Sequence, residues 1–169
     1  VGGAWAALMH RWGKLTLDAR VFPSAALAMD RPNPRNALGT ALLSSATACA
    51  DISDGLAQDL GHILERSGVD ADVLWDAVPK HPALAALSQE QQVEAAMSGG
   101  DDYELVFTAP ADKRGLIEQA SISALTPVTR IGRIIEKKQS GAPLAIRDAS
   151  GRPLFLPVQG FDHFAQGAD

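Results

Sequence analysis

One cysteine, Cys49, stands in the whole 169-residue chain. That excludes an intrachain disulfide and argues against a zinc centre, and it fits a reducing compartment, so the expectation is a cytoplasmic protein. No apolar run approaches the roughly 20 residues needed to cross a bilayer. No dense run of Lys or Arg occurs, and the net charge is −5. Sequence-independent binding to nucleic acid or to an anionic membrane is therefore not expected. The Gly-x-x-x-x-Gly-Lys-Ser/Thr loop, the Gly-x-Ser-x-Gly elbow and the Cys-x-x-Cys pair are all absent, so phosphate chemistry here cannot use the usual P-loop. There are no internal repeats and no low-complexity segments.

What is present is enough for one packed domain. Hydrophobic residues make up 46% of the chain, sufficient for a full core. Leu56, Leu60, Ile63 and Leu64 fall on one helical face, with Ser67-Gly68 as a C-terminal stop. Ser88 to Met97 reads as a helix with Ser88 as its N-cap. Helices are also expected over 4–15, 36–44 and 111–120. Strands are expected over 47–50 (buried), 69–75, 103–108, 128–135, 144–147 and 154–156, the last two around a turn at Ser150-Gly151. The fold class is α+β: a mixed β-sheet with packed helices. The opening Val1-Gly2-Gly3-Ala4-Trp5 is neither a start methionine nor a signal peptide, and Ala4 to Leu15 reads as a helix already under way. We expect residues 1–30 to be a truncated remnant of a preceding domain and its linker, and residues 31–169 to form a C-terminal α/β domain. Residues 21–30 are assigned no role.

Three segments could carry chemistry. The first is Asp51-Ile52-Ser53-Asp54-Gly55, between a strand and the start of the strongest helix. Two carboxylates about 4 Å apart repel by roughly 4 kcal/mol at an effective dielectric near 20. A magnesium ion would relieve that, since it takes one or two carboxylates together with phosphate oxygens and water. The helix N-terminus suits phosphate, and Gly55 would let a ligand approach the backbone. The plainer reading makes Ser53 or Asp54 an N-cap and leaves Asp51 solvated. The second segment is Ser98-Gly99-Gly100-Asp101-Asp102-Tyr103-Glu104, whose paired glycines suggest a tight loop bringing Asp101 or Asp102 against a ligand. Its plainer reading is a turn with exposed acids. The third is Gly160-Phe161-Asp162-His163-Phe164, where Phe161 could stack on a heteroaromatic ring or fill the edge of the core.

Taken in order, these motifs resemble the thiamine-monophosphate kinase family. So do Asp59-Leu60, Pro34-Arg35 before a small-residue helix, and Arg130-Ile131-Gly132. The resemblance spans roughly 31–164. It implies the C-terminal domain of the aminoimidazole-ribonucleotide-synthetase-like superfamily and a Mg²⁺-dependent transfer of phosphate from ATP to thiamine monophosphate. It further implies that a preceding N-terminal domain carries most metal-binding aspartates and builds a homodimer, so that the isolated chain is inactive. By the same resemblance Asp51 and Asp54 are Mg²⁺ ligands, Ser53 contacts ATP, Asp101 or Asp102 contacts substrate, and Phe161 contacts the thiamine portion. The competing readings are another enzyme of the superfamily, such as a selenophosphate or purine-pathway synthetase, and a non-catalytic interaction module.

Overall fold

The structure, a computed structural model, describes residues 1–154. Six α-helices are found among them: α1 (Gly3–Arg11), α2 (Phe22–Asp30), α3 (Asn36–Ala41), α4 (Leu56–Ser67), α5 (Gln89–Ser98) and α6 (Arg114–Ser123). Five strands accompany them: β1 (Ala48–Asp51), β2 (Val69–Leu74), β3 (Leu105–Thr108), β4 (Gly132–Glu136) and β5 (Leu144–Arg147). The α+β expectation holds, but the strands form two small sheets. β1 pairs antiparallel with β3, while β2 lies between antiparallel β4 and parallel β5.

Helix α4 is the keystone of the main core. Its four periodic side chains are at most 7% exposed and pack with Ala71, Val73, Met97, Val106 and Ile146. Their burial is worth about 6–12 kcal/mol before the entropy of ordering. Gly68 ends the helix in the left-handed conformation (φ 65°), as the Ser67-Gly68 pair predicts. Ser88 caps α5 through a full capping box with Gln91.

Several boundaries differ from those expected. β1 is not buried. Ala48 and Ala50 face the core, while Cys49 and Asp51 face outward, because this strand belongs to a two-stranded ribbon. β3 begins only at Leu105, because Tyr103 sits at φ +50°, outside strand geometry. β2 ends at Leu74, and Trp75 opens a 3₁₀ turn. The helix expected over 111–120 starts as a 3₁₀ turn and runs as α6 from Arg114. The strand expected over 128–135 is Gly132–Glu136.

Of the unassigned residues 21–30, Phe22–Asp30 form α2, with Pro23 in the first turn, where its missing N–H costs nothing. Helices α1 and α2 pack together and against the turn at Pro82–Ala86, around Ala6, Ala7, Leu17, Ala25 and Ala83. The two histidines in this region act as local acceptors. His10 Nδ1 accepts the Leu17 amide at 3.1 Å, and His81 Nδ1 accepts the Ala83 amide at 3.1 Å. After β5 the chain turns at Asp148–Gly151, and Leu154 donates back to the Ile146 carbonyl at 2.8 Å.

Candidate active site

The two acidic motifs lie far apart in sequence and meet in space. Pairing of β1 with β3 is continued beyond the strands: Ile52 donates its amide to Glu104 O, Tyr103 to Ile52 O and Asp101 to Ser53 O, each at 2.8 Å. Loop 51–55 and loop 98–104 therefore form one backbone-bonded unit. A bidentate ion pair between Arg35 and Glu104 (2.8 and 2.5 Å) ties the start of α3 to its edge. Charge-assisted pairs of this fork geometry hold direction as well as distance.

The glycines serve this contact. A Cβ on Gly55 (φ 115°) would fall 2.6 Å from Met97 O and 2.8 Å from Ser98 Cα. One on Gly100 (φ 64°) would fall 2.6 Å from Ser53 O, and one on Gly99 would fall 2.3 Å from Ala95 O. The space reserved at Gly55 is thus filled by the end of α5. The expectation that it admits a ligand is corrected accordingly.

Each acid has a distinct environment. Asp51 and Asp101 are exposed, and Asp54 and Ser53 are partly buried. Asp54 accepts from Gln58 Nε2 at 3.2 Å. Neither Ser53 nor Asp54 caps α4: the N-cap is Gly55, with no side-chain cap bond, so the plainer helix-cap reading of this motif fails. The Tyr103 hydroxyl donates to Asp101 at 3.3 Å. Its phenol is pushed up chiefly by the charge of Asp101, with Asp51 and Asp54 adding to it. Asp51, Asp54 and Asp101 thus share one acidic rim beside Tyr103.

Asp102 turns the other way. Both its oxygens accept the Gly2 amide, at 2.7 and 2.9 Å, at the N-terminal end of α1. Burial pushes its carboxyl up to about 6, and the Gly2 and Gly3 amides oppose the rise. It borders a cleft of about 180 Å³ together with Glu104, Lys80 and His81.

One residue of the site has no role in the sequence reading. Asp59, 6% exposed, accepts the amides of Ser53 (3.0 Å) and Asp54 (3.1 Å) on a single oxygen. Burial raises its carboxyl, those two amides oppose the rise, and Asp54 and Asp51 add to it. The signal was available: Asp59 is a charge set on the apolar face formed by Leu56, Leu60 and Ile63.

The donor set suits a hard cation, since carboxylate oxygens are what Mg²⁺ takes. Among the described residues no three His, Cys, Asp or Glu side chains converge as a ready metal cage. Two carboxylates at most would come from here, with the remaining ligands from phosphate, water or elsewhere. Phe161 and the segment around it lie outside the described residues. Among the described residues no helix is long and apolar enough to cross a membrane.

The family model "AIR synthase related protein, C-terminal domain" matches residues 2–144. A thiamine-monophosphate kinase of Haemophilus influenzae is 42% identical over 138 residues, covering 80% of this chain and 42% of that protein. The crystal structure of the thiamine-monophosphate kinase from Stenotrophomonas maltophilia K279a superposes with a TM-score of 0.77 at 39% identity, covering 86% of this chain and 47% of that one. A ThiL complexed with AMPPCP and TMP superposes with a TM-score of 0.73 at 25% identity, covering 97% and 48%. The chain thus spans less than half the length of each of these three relatives. With its matched model, its α+β architecture and its two joined acidic loops, this chain belongs to the AIR synthase related protein family, as a C-terminal domain.

Proposed function

We propose that this chain is the C-terminal domain of a cytoplasmic, homodimeric thiamine-monophosphate kinase, which transfers the terminal phosphoryl group of ATP to thiamine monophosphate. The observation that carries the reading is the joining of the 51–55 and 98–104 loops by the Asp101 amide to Ser53 carbonyl bond. Nucleotide-side and substrate-side residues would thereby sit on one rigid rim. Similarity to thiamine-monophosphate kinases supports the substrate pair, as does similarity to the ThiL complexed with AMPPCP and TMP.

In this reading Asp51 and Asp54 hold Mg²⁺, Ser53 contacts ATP, and Asp101 meets the substrate. Asp102 supports the loop from behind, and Phe161 contacts the thiamine portion. Bound magnesium would neutralise charge on the two anionic reactants. A phosphate oxygen of thiamine monophosphate forms the new P–O bond, and the bond to the bridging oxygen of ATP breaks with its electron pair leaving on ADP. The attacking oxygen is already anionic, so no side chain here has to act as a general base. Orientation and charge neutralisation carry the rate. A preceding N-terminal domain would supply the other metal-binding aspartates. Thiamine diphosphate formation from ATP and thiamine monophosphate, with Mg²⁺, should appear in a protein that joins this chain to such a domain and be absent from residues 1–169 alone. Turnover by residues 1–169 alone, or none by the joined protein, would overturn the reading.

A further inference from the structure

The loop that presents Ser53 and Asp54 has to be held still by something other than its own side chains. Gly55, the N-cap of α4, has no side chain, and no side-chain cap bond is made there. The amides of Ser53 and Asp54 point inward and find one acceptor, the Asp59 oxygen, at 3.0 and 3.1 Å. Asp59 stands in the first turn of α4, fixed by Leu56 and Leu60 on either side, which are 3% and 4% exposed. Its neighbour Gln58 reaches the Asp54 carboxylate from the same turn at 3.2 Å. Burying a carboxylate beside an already acidic rim is costly, and a neutral residue would pack on this face at less expense. Its two inward amides give the charge a use.

We propose that Asp59 is a positioning residue for phosphoryl transfer: it locks the backbone of Ser53 and Asp54 to α4 and so fixes where the rim's metal- and nucleotide-facing groups stand. The inference rests on the function proposed above. Asp59 itself touches neither metal nor substrate. Because a single oxygen accepts both amides, Asp59→Asn can preserve both bonds, whereas Asp59→Ala removes the acceptor altogether.

The test compares both variants in the joined protein, assayed well below each variant's melting temperature, with amide hydrogen exchange measured in parallel. Losses on removing such supporting contacts are about 10–100-fold, and a kcat fall of that size is expected for Asp59→Ala, with Asp59→Asn recovering most of it. Exchange at Ser53 and Asp54 should quicken in Asp59→Ala while exchange in β2 (Val69–Leu74) stays unchanged. If Asn is as damaging as Ala and exchange does not move, Asp59 acts through its charge, and the positioning role is wrong. If Ala retains the wild-type kcat, the role is merely structural, and the inference likewise fails. Should the wild-type protein not phosphorylate thiamine monophosphate, the function is refuted, but the exchange measurement needs no substrate and still decides whether Asp59 holds this loop.

Discussion

The Asp101 amide donates to the Ser53 carbonyl at 2.8 Å, and the glycine before Asp101 leaves no room for anything else at that contact. A Cβ at Gly100 would lie 2.6 Å from the same carbonyl oxygen. Loop 98–104 can approach loop 51–55 only because position 100 is bare, and its φ of 64° is one that side chains rarely adopt.

Gly100→Ala should therefore part the two loops. Positive φ and a backbone collision act together, and strain of each kind costs about 1–3 kcal/mol. The melting temperature should fall, and turnover in the joined protein should fall further than stability alone explains. An alanine variant that melts and turns over as wild type would show that this contact does not hold the rim.

Asp51→Asn and Asp54→Asn should each lower turnover by about 10²–10³-fold, the scale known for removing one preorganised electrostatic contact to the charge of a transition state. Neither should lower the melting temperature. Gly55, not Asp54, caps α4, an asparagine oxygen at position 54 still accepts from Gln58, and Asp51 is exposed at the end of β1. Rates measured across a Mg²⁺ titration, with a melting curve for each variant, check this. Near-wild-type rates throughout would remove both residues from the metal site.

Asp102 carries a pH dependence of determinate sign. Burial holds its carboxyl at about 6 against an ordinary 3.8, so the folded protein keeps a proton that the unfolded chain releases. Native stability should therefore decline as pH rises from about 4 to about 6 and level off above, by at most about 3 kcal/mol. Asp102→Asn keeps an acceptor for the Gly2 amide but cannot ionise. Its melting temperature should fall less than the wild type's over that interval. Parallel melting profiles from pH 4 to 7 for the two proteins would contradict the assignment.

Strong local signals in the sequence specify the elements they mark. The face of Leu56, Leu60, Ile63 and Leu64 and its Gly68 stop determine α4, and Ser88 with Gln91 determines the start of α5. Periodicity and caps depend only on near neighbours, so the order of residues specifies them. The family was legible for a related reason, since its motifs are contiguous runs. Helix α2 was not legible. Among its residues only Ala25 is buried, and packing on α1 holds it in place.

Tertiary structure alone decided which acid faces where. Asp101 and Asp102 are adjacent and chemically identical, yet one joins Asp51 and Asp54 at the rim while the other turns to the amides of α1. It also decided that the glycines of both motifs make room for backbone, and that Asp59, on an otherwise apolar helix face, serves two amides of the preceding loop. The physical reason is common to all three. A buried N–H needs an acceptor, and a backbone needs clearance from whatever packs on it. Both partners are fixed by chain segments that meet only once the core has closed.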